Sequence, residues 1–147
     1  MRTRVSASPS QIAKWAQAYG RWAELHGFAR DAVRTDVYRG ERAGKRVRFL
    51  TGVDDDGILK SPELEIELAT PSAFPAVVLT VGAPPPPADI AGRAVVAVLE
   101  REGVVQIDVT RRLVRLSFAP MTDPALFDPA LDELLRALSP AADSPYR

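Results

Sequence analysis

The chain has 147 residues, 46% of them hydrophobic and 26% charged, and its 19 basic and 19 acidic residues leave a formal net charge of zero. This length and composition predict a single globular domain, residues 1–147, with its own hydrophobic core. Zero net charge gives no long-range attraction to polyanions, so we expect no nucleic acid and no membrane as a partner. The absence of cysteine excludes disulfide bonds and thiolate metal sites.

The first predicted element is an amphipathic helix that begins after Ser8. Ser8 and Gln11 have the spacing of a capping box, Pro9 suits the first helical position, and Gly27 stands where helices commonly end. The apolar face of this helix carries an aromatic stripe, Trp15, Tyr19 and Trp22. Such a stripe is typical of a core-facing surface, but aromatic side chains also dominate binding hot spots. A partner-binding face is therefore the alternative.

A run of strands follows the helix. Residues 33–39 and 45–51 flank a glycine-containing loop and predict a hairpin. Residues 63–69 alternate between apolar and acidic side chains, which predicts a half-buried antiparallel strand with one wet face. That wet face carries three glutamates, Glu63, Glu65 and Glu67. Residues 76–81 alternate little and predict a more buried strand.

The second half opens on four prolines at residues 84–87, which predict a rigid extended crossing within one domain. Residues 89–102 fit a helix or a strand, and their apolar spacing favours the helix. Residues 104–109 and 113–118 predict a second hairpin.

The last predicted element is a helix with two successive start signals, Asp123-Pro124 and Asp128-Pro129. Leu134 lies at the centre of its apolar face, and residues 140–147 are expected to fray. The predicted fold class is therefore α+β, an antiparallel sheet of about six strands with three helices, in the order α-β-β-β-β-α-β-β-α.

The densest basic segment is the first hairpin, where only Glu41 opposes five basic residues, Arg39, Arg42, Lys45, Arg46 and Arg48. The four arginines are the best candidates for contacting a phosphate or an acidic partner. Alternatively, Arg46 and Arg48 face the glutamates of the next strand and form cross-strand ion pairs. No aromatic residues alternate with them, which argues against single-stranded nucleic acid.

Catalytic residue types are scarce. His26 is the only histidine, and its position at the end of a helix predicts a structural role. Residues 54–57 have three consecutive aspartates, which predict a solvated turn rather than a calcium loop. No nucleotide-binding, serine-hydrolase or metalloprotease motif occurs. We expect no enzyme, no metal and no cofactor.

The predicted element order resembles that of the small bacterial secretion-chaperone fold. The resemblance implies a protein that binds other proteins and forms a dimer, and it assigns no functional residue. The predicted function is a non-enzymatic interaction module in the bacterial cytoplasm: an adaptor, a chaperone or a regulatory partner. It would bind another protein, or a second copy of itself, through the first helix or a sheet edge such as residues 33–39.

The alternative function is a small-molecule or lipid carrier. In that case sheet and helices would enclose a pocket lined by four aromatic residues, Trp15, Trp22, Phe49 and Phe118.

Overall fold

A seven-stranded antiparallel sheet carries three helices on one face. The structure, a computed structural model, describes residues 4–53, 56–68, 76–83 and 93–138. The helices are α1 (Pro9–Leu25), α2 (Arg93–Val98) and α3 (Phe127–Leu138). The strands are β1 (Arg4–Ser6), β2 (Ala29–Arg30), β3 (Val37–Arg42), β4 (Lys45–Leu50), β5 (Ile58–Lys60), β6 (Glu63–Glu67), β7 (Val77–Thr80), β8 (Val104–Val109) and β9 (Leu113–Phe118).

The large sheet has the strand order β2-β3-β4-β6-β9-β8-β7, and β1 and β5 form a separate two-stranded sheet. The predicted α+β class with an antiparallel sheet is confirmed. The sequence predicted six strands and missed β1, β2 and β5. Each of these is two or three residues long, which is too short to show a hydrophobic period.

The register divides the large sheet into an apolar and a polar face. One row across the sheet joins Tyr38, Phe49, Leu64, Leu116, Ile107 and Leu79, all of them buried. The next row faces the opposite way and joins Arg39, Arg48, Glu65, Arg115, Asp108 and Val78. The helices pack on the apolar face.

An aromatic cluster fixes α1 and α3 on that face. The ring of Phe127 in α3 lies 5.2 Å from Trp22 in α1, 5.4 Å from Phe49 in β4 and 4.6 Å from Phe118 in β9. Tyr19 joins the cluster, and its hydroxyl donates a 3.0 Å hydrogen bond to the Thr122 carbonyl. Burial raises the pKa of Tyr19 far above its ordinary value, and Asp123 adds to the shift.

Both predicted ends of α1 are confirmed. The Gln11 amide donates to the Ser8 hydroxyl at 3.2 Å, and the Ser8 amide donates to the Gln11 side chain at 2.9 Å. The helix ends at Leu25 with His26 as its C-cap, and Gly27 follows with a φ of 80°. A positive φ after the cap is the conformation that glycine adopts without a steric cost.

The first hairpin is shifted from its predicted position. β3 begins at Val37 rather than at residue 33, because the Asp31 carboxylate accepts hydrogen bonds from the Val33 and Arg34 amides and holds a turn there. Gly40, predicted in the loop, lies within β3. The Phe28 ring covers it so closely that a Cβ at Gly40 would lie 2.5 Å from the ring carbon Cδ1.

The segment whose sequence fitted both helix and strand is helical over Arg93–Val98, as the sequence favoured. Residues 84–87, predicted as a proline crossing, and residues 140–147, predicted as a frayed tail, lie outside the described residues. The single domain stays a prediction.

We expect Leu134→Ala to lower the free energy of unfolding by about 2–5 kcal/mol, because the substitution leaves a cavity in a close-packed core. Leu134 is fully buried in α3. Chemical denaturation measures the change, and Leu25→Ala in α1 is the control because Leu25 is 77% exposed. A change below about 0.5 kcal/mol at Leu134 would contradict the core position.

We expect Ala43→Asn to raise the free energy of unfolding by about 0.5–1 kcal/mol, because asparagine tolerates the left-handed backbone better than alanine. Ala43 and Gly44 form the turn between β3 and β4 with φ values of 54° and 76°. The same change at Ala13, exposed in α1, should lower stability instead. A thermal melt that places both variants below the parent would refute the turn argument.

Candidate functional site

The polar face of the large sheet carries an open groove of about 500 Å³ that we call the arginine groove. Its charged lining consists of Arg39, Arg46, Arg48, Arg112, Glu65 and Glu67. Three of the four arginines that the sequence singled out therefore meet there, together with Arg112 from the turn before β9. An excess of two positive charges results.

Glu65 binds two arginine side chains of this face. The sequence placed it on the wet face, and it does lie on that face, but it is only 2% exposed. Two guanidinium groups cover it: Arg48 Nε donates to Oε1 at 2.7 Å, and Arg115 Nε donates to Oε2 at 2.9 Å. Both arginines also donate through Nη2. The expectation of a solvated Glu65 is wrong because long arginine side chains lie over it.

Other charged side chains near this face form ion pairs with their neighbours. The Arg39 Nε atom donates to the Asp31 carboxylate at 2.8 Å. Hydrogen bonds from the Arg34 and Val33 amides, with Arg39 adding to them, hold the pKa of Asp31 far below its ordinary value. Burial raises the pKa of the Glu63 carboxyl, and the charge of Arg115 opposes that shift. Arg39 is therefore less available to a ligand than its exposure indicates.

Arg46 and Arg112 differ from these arginines. Both are exposed, and neither forms an ion pair or a side-chain hydrogen bond within the described part of the chain. The cross-strand alternative from the sequence is thus confirmed for Arg48, which pairs with Glu65, and wrong for Arg46. The sequence missed Arg112 and Arg115 because only the β6–β9 pairing, between strands distant in sequence, brings them to this face.

The structure separates Arg42 from the other predicted arginines. Its side chain points to the helix-bearing face, where Nη2 donates to Asp128 at 2.9 Å and lies 3.2 Å from Asp132 Oδ1. Asp128 also accepts from Trp22 Nε1 at 3.2 Å and lies 3.1 Å from His26 Nε2. Arg42 is a brace between β3 and α3, and His26 has the structural role that the sequence predicted.

The aromatic stripe of α1 supplies no open surface at two of its three positions. Tyr19 and Trp22 are buried in the core, and Trp15 is half-buried with its ring 5.5 Å from that of Tyr19. Tyr19 and Trp22 therefore present no open surface, because α3 and the sheet cover both rings, and a partner-binding role for this stripe stays a prediction. The pocket that the carrier hypothesis requires is filled at Trp22 and Phe49, whose rings lie 5.2 Å apart.

A second open surface lies at the β7 edge of the sheet. β7 pairs with β8 on one side, and no described residue pairs with its outer side. An apolar cleft of about 540 Å³ runs between β7 and α2. Its apolar lining includes Val78, Leu79, Val81, Val96, Leu99 and Val104. The sequence predicted a more buried strand here, and that is wrong: Val78 is 56% exposed because its side chain lies on the face of the sheet that carries no helices.

The described residues contain neither a metal-ion cluster nor a membrane-spanning helix. Across residues 4–53, 56–68, 76–83 and 93–138, no group of three or more histidine, aspartate or glutamate side chains is placed to hold a metal ion. No helix within those ranges has the length and apolar character needed to cross a bilayer.

Comparison with known proteins gives a likeness at the level of fold. No protein-family model matches the chain, and no curated protein does. The chain is similar in structure to the mycobacterial trehalose monomycolate transport factor A, TtfA, with a TM-score of 0.57 and 15% sequence identity. The match covers 86% of this chain and 97% of the TtfA chain in its crystal structure. What the two share is the fold.

We expect Glu65→Gln to lower the free energy of unfolding by about 1–3 kcal/mol, because two arginines lose a charged acceptor. The loss stays below that of a fully buried pair, since both guanidinium groups reach solvent. Glu67→Gln is the matched control, because Glu67 is exposed in the same strand and its loss should cost less than about 0.5 kcal/mol. Urea denaturation measures both changes. Equal effects at the two positions would contradict a stabilising role for the pairing of Glu65 with Arg48 and Arg115.

Proposed function

We propose that the protein is a non-enzymatic interaction module, an adaptor, chaperone-like or regulatory partner in a bacterial cytoplasm. Its partner is an extended segment of another protein, which adds a strand to β7. The observation that carries this proposal is the outer edge of β7, with which no described residue pairs, beside an apolar cleft.

The outer edge of β7 offers backbone groups to an added strand. In an antiparallel sheet, alternate amide and carbonyl groups of the last strand point outward and can pair with an added strand. β7 contains no proline or charged residue, which are the features that natural edges use to prevent such pairing. The outer edge of β7 is therefore suited to accept a strand.

The cleft beside the edge supplies side-chain specificity. Alternate side chains of an added strand would point toward the helix-bearing side, where Leu79, Val96 and Leu99 line the cleft. Val78 and Val81 are 56% and 39% exposed, and apolar side chains of a partner would cover them. An extended segment with apolar residues at every second position fits this surface.

The opposite end of the sheet is less suited to strand addition. β2 pairs with Tyr38 and Arg39 of β3, and the Asp31 amide donates to the Val37 carbonyl at 2.8 Å. The edge that the sequence expected at residues 33–39 is therefore largely covered. The likeness to TtfA, named as a transport factor, is compatible with a binding role and assigns no partner.

We expect Val78→Lys to weaken partner binding at least tenfold, about 1.4 kcal/mol, because a lysine at the edge blocks strand addition. Val33→Lys is the matched control, since Val33 is 88% exposed in a turn and the charge change is identical. Quantitative mass spectrometry compares the proteins that the parent and the two variants capture from source lysate. Light scattering of the same samples reports the oligomeric state.

Proteins captured by the parent and by Val33→Lys, and lost with Val78→Lys, would support the edge site. A dimer that only Val78→Lys dissociates would identify a second copy as the partner. Equal capture by all three proteins would refute the proposal. A large loss of stability in Val78→Lys would also refute it, because an exposed edge residue should change stability by less than about 0.5 kcal/mol.

A further inference from the structure

The arginine groove lies toward the other end of the sheet from β7, on β3, β4, β6 and the start of β9. The cleft beside β7 shares no lining residue with it. Two of its arginines, Arg39 and Arg48, are bound to Asp31 and Glu65. Arg46 and Arg112 have no such partner among the described residues, and each guanidinium group carries five N–H donors.

We propose that the arginine groove binds an acidic segment of a polypeptide, with Arg46 and Arg112 each holding one carboxylate. A planar guanidinium group pairs with a carboxylate through two parallel hydrogen bonds, which gives direction as well as attraction. The lining carries two more positive than negative charges. Charge complementarity therefore selects an anionic ligand.

The surrounding charges favour a short-range contact over attraction of a polyanion. Glu41, Glu63 and Asp108 lie on the same face as the groove arginines. Their negative charges cancel most of the field beyond a Debye length, which is about 8 Å at physiological salt. A nucleic acid, which depends on neutralising many phosphates, gains little here.

The sheet geometry sets the spacing of the acidic groups. Arg46 lies on β4 and Arg112 precedes β9, and β6 runs between those two strands. Two strand spacings separate their backbones by about 10 Å, and an extended peptide advances about 3.3 Å per residue. Side chains of an extended peptide alternate between its two sides, so acidic residues four positions apart, about 13 Å, point to the same side and can reach both arginines with their long side chains. Glu67 lies between them in the groove and disfavours a third acidic residue there.

The test measures fluorescence anisotropy of labelled ten-residue peptides with the full chain. One peptide has two glutamates separated by three glutamines in a glutamine background, and the other has glutamine throughout. The groove variant is Arg46→Gln with Arg112→Gln. The control variant is Arg21→Gln with Arg136→Gln, which removes two exposed arginines of α1 and α3 and produces the same net charge.

We expect the glutamate peptide to bind the parent and the control variant at least tenfold more tightly than the groove variant. The all-glutamine peptide should bind none of them measurably. An equal loss of binding in both variants would overturn the proposal, because net charge alone would then explain it. Absence of binding by the glutamate peptide to the parent would overturn it as well.

Two further ligands separate the acidic peptide from other anions. Free glutamate that competes as well as the peptide would overturn the proposal in favour of a small-molecule site. A ten-nucleotide single-stranded DNA that binds more tightly than the peptide at physiological salt would overturn it in favour of nucleic acid. The Val78→Lys variant should bind the peptide like the parent, so failure at the edge and failure at the groove are distinguishable.

Discussion

The packing of Phe127 against Trp22, Phe49 and Phe118 is the contact on which the rest of the structure depends. These rings come from both long helices and from two strands of the large sheet. Their burial removes a large apolar area from water and fixes α1 and α3 on one face of the sheet. Exposing these rings to water would cost a large part of the free energy that their burial supplies, so the cluster stays in the core.

A charged group that is buried on the open face of the sheet needs partners from that same face. Glu65 shows how this is done, because its two oxygens are fully occupied by Arg48 and Arg115 from the neighbouring strands. Arg46 and Arg112 have no such acceptor among the described residues. The features proposed for binding thus include two arginines and a strand edge that have no partner among the described residues.

The errors made from the sequence share a physical cause. An apolar run such as Val77–Thr80 is equally compatible with a central strand and with an edge strand beside a cleft, since periodicity describes faces and not neighbours. Gly40 indicated a loop because glycine favours turns. Its position in β3 instead follows from the Phe28 ring above it, a contact that no local pattern shows.

The sequence by itself determined the α+β class, the capped start of α1 and the apolar faces of β4, β6 and α3. Those features follow from the periods of helix and strand and from local hydrogen bonds near Ser8. Only the tertiary structure decided that Arg42 contacts α3. It also decided the order of the strands. Such outcomes depend on contacts between residues far apart in sequence, as between Arg42 and Asp128, 86 positions apart, and local patterning contains no information about them.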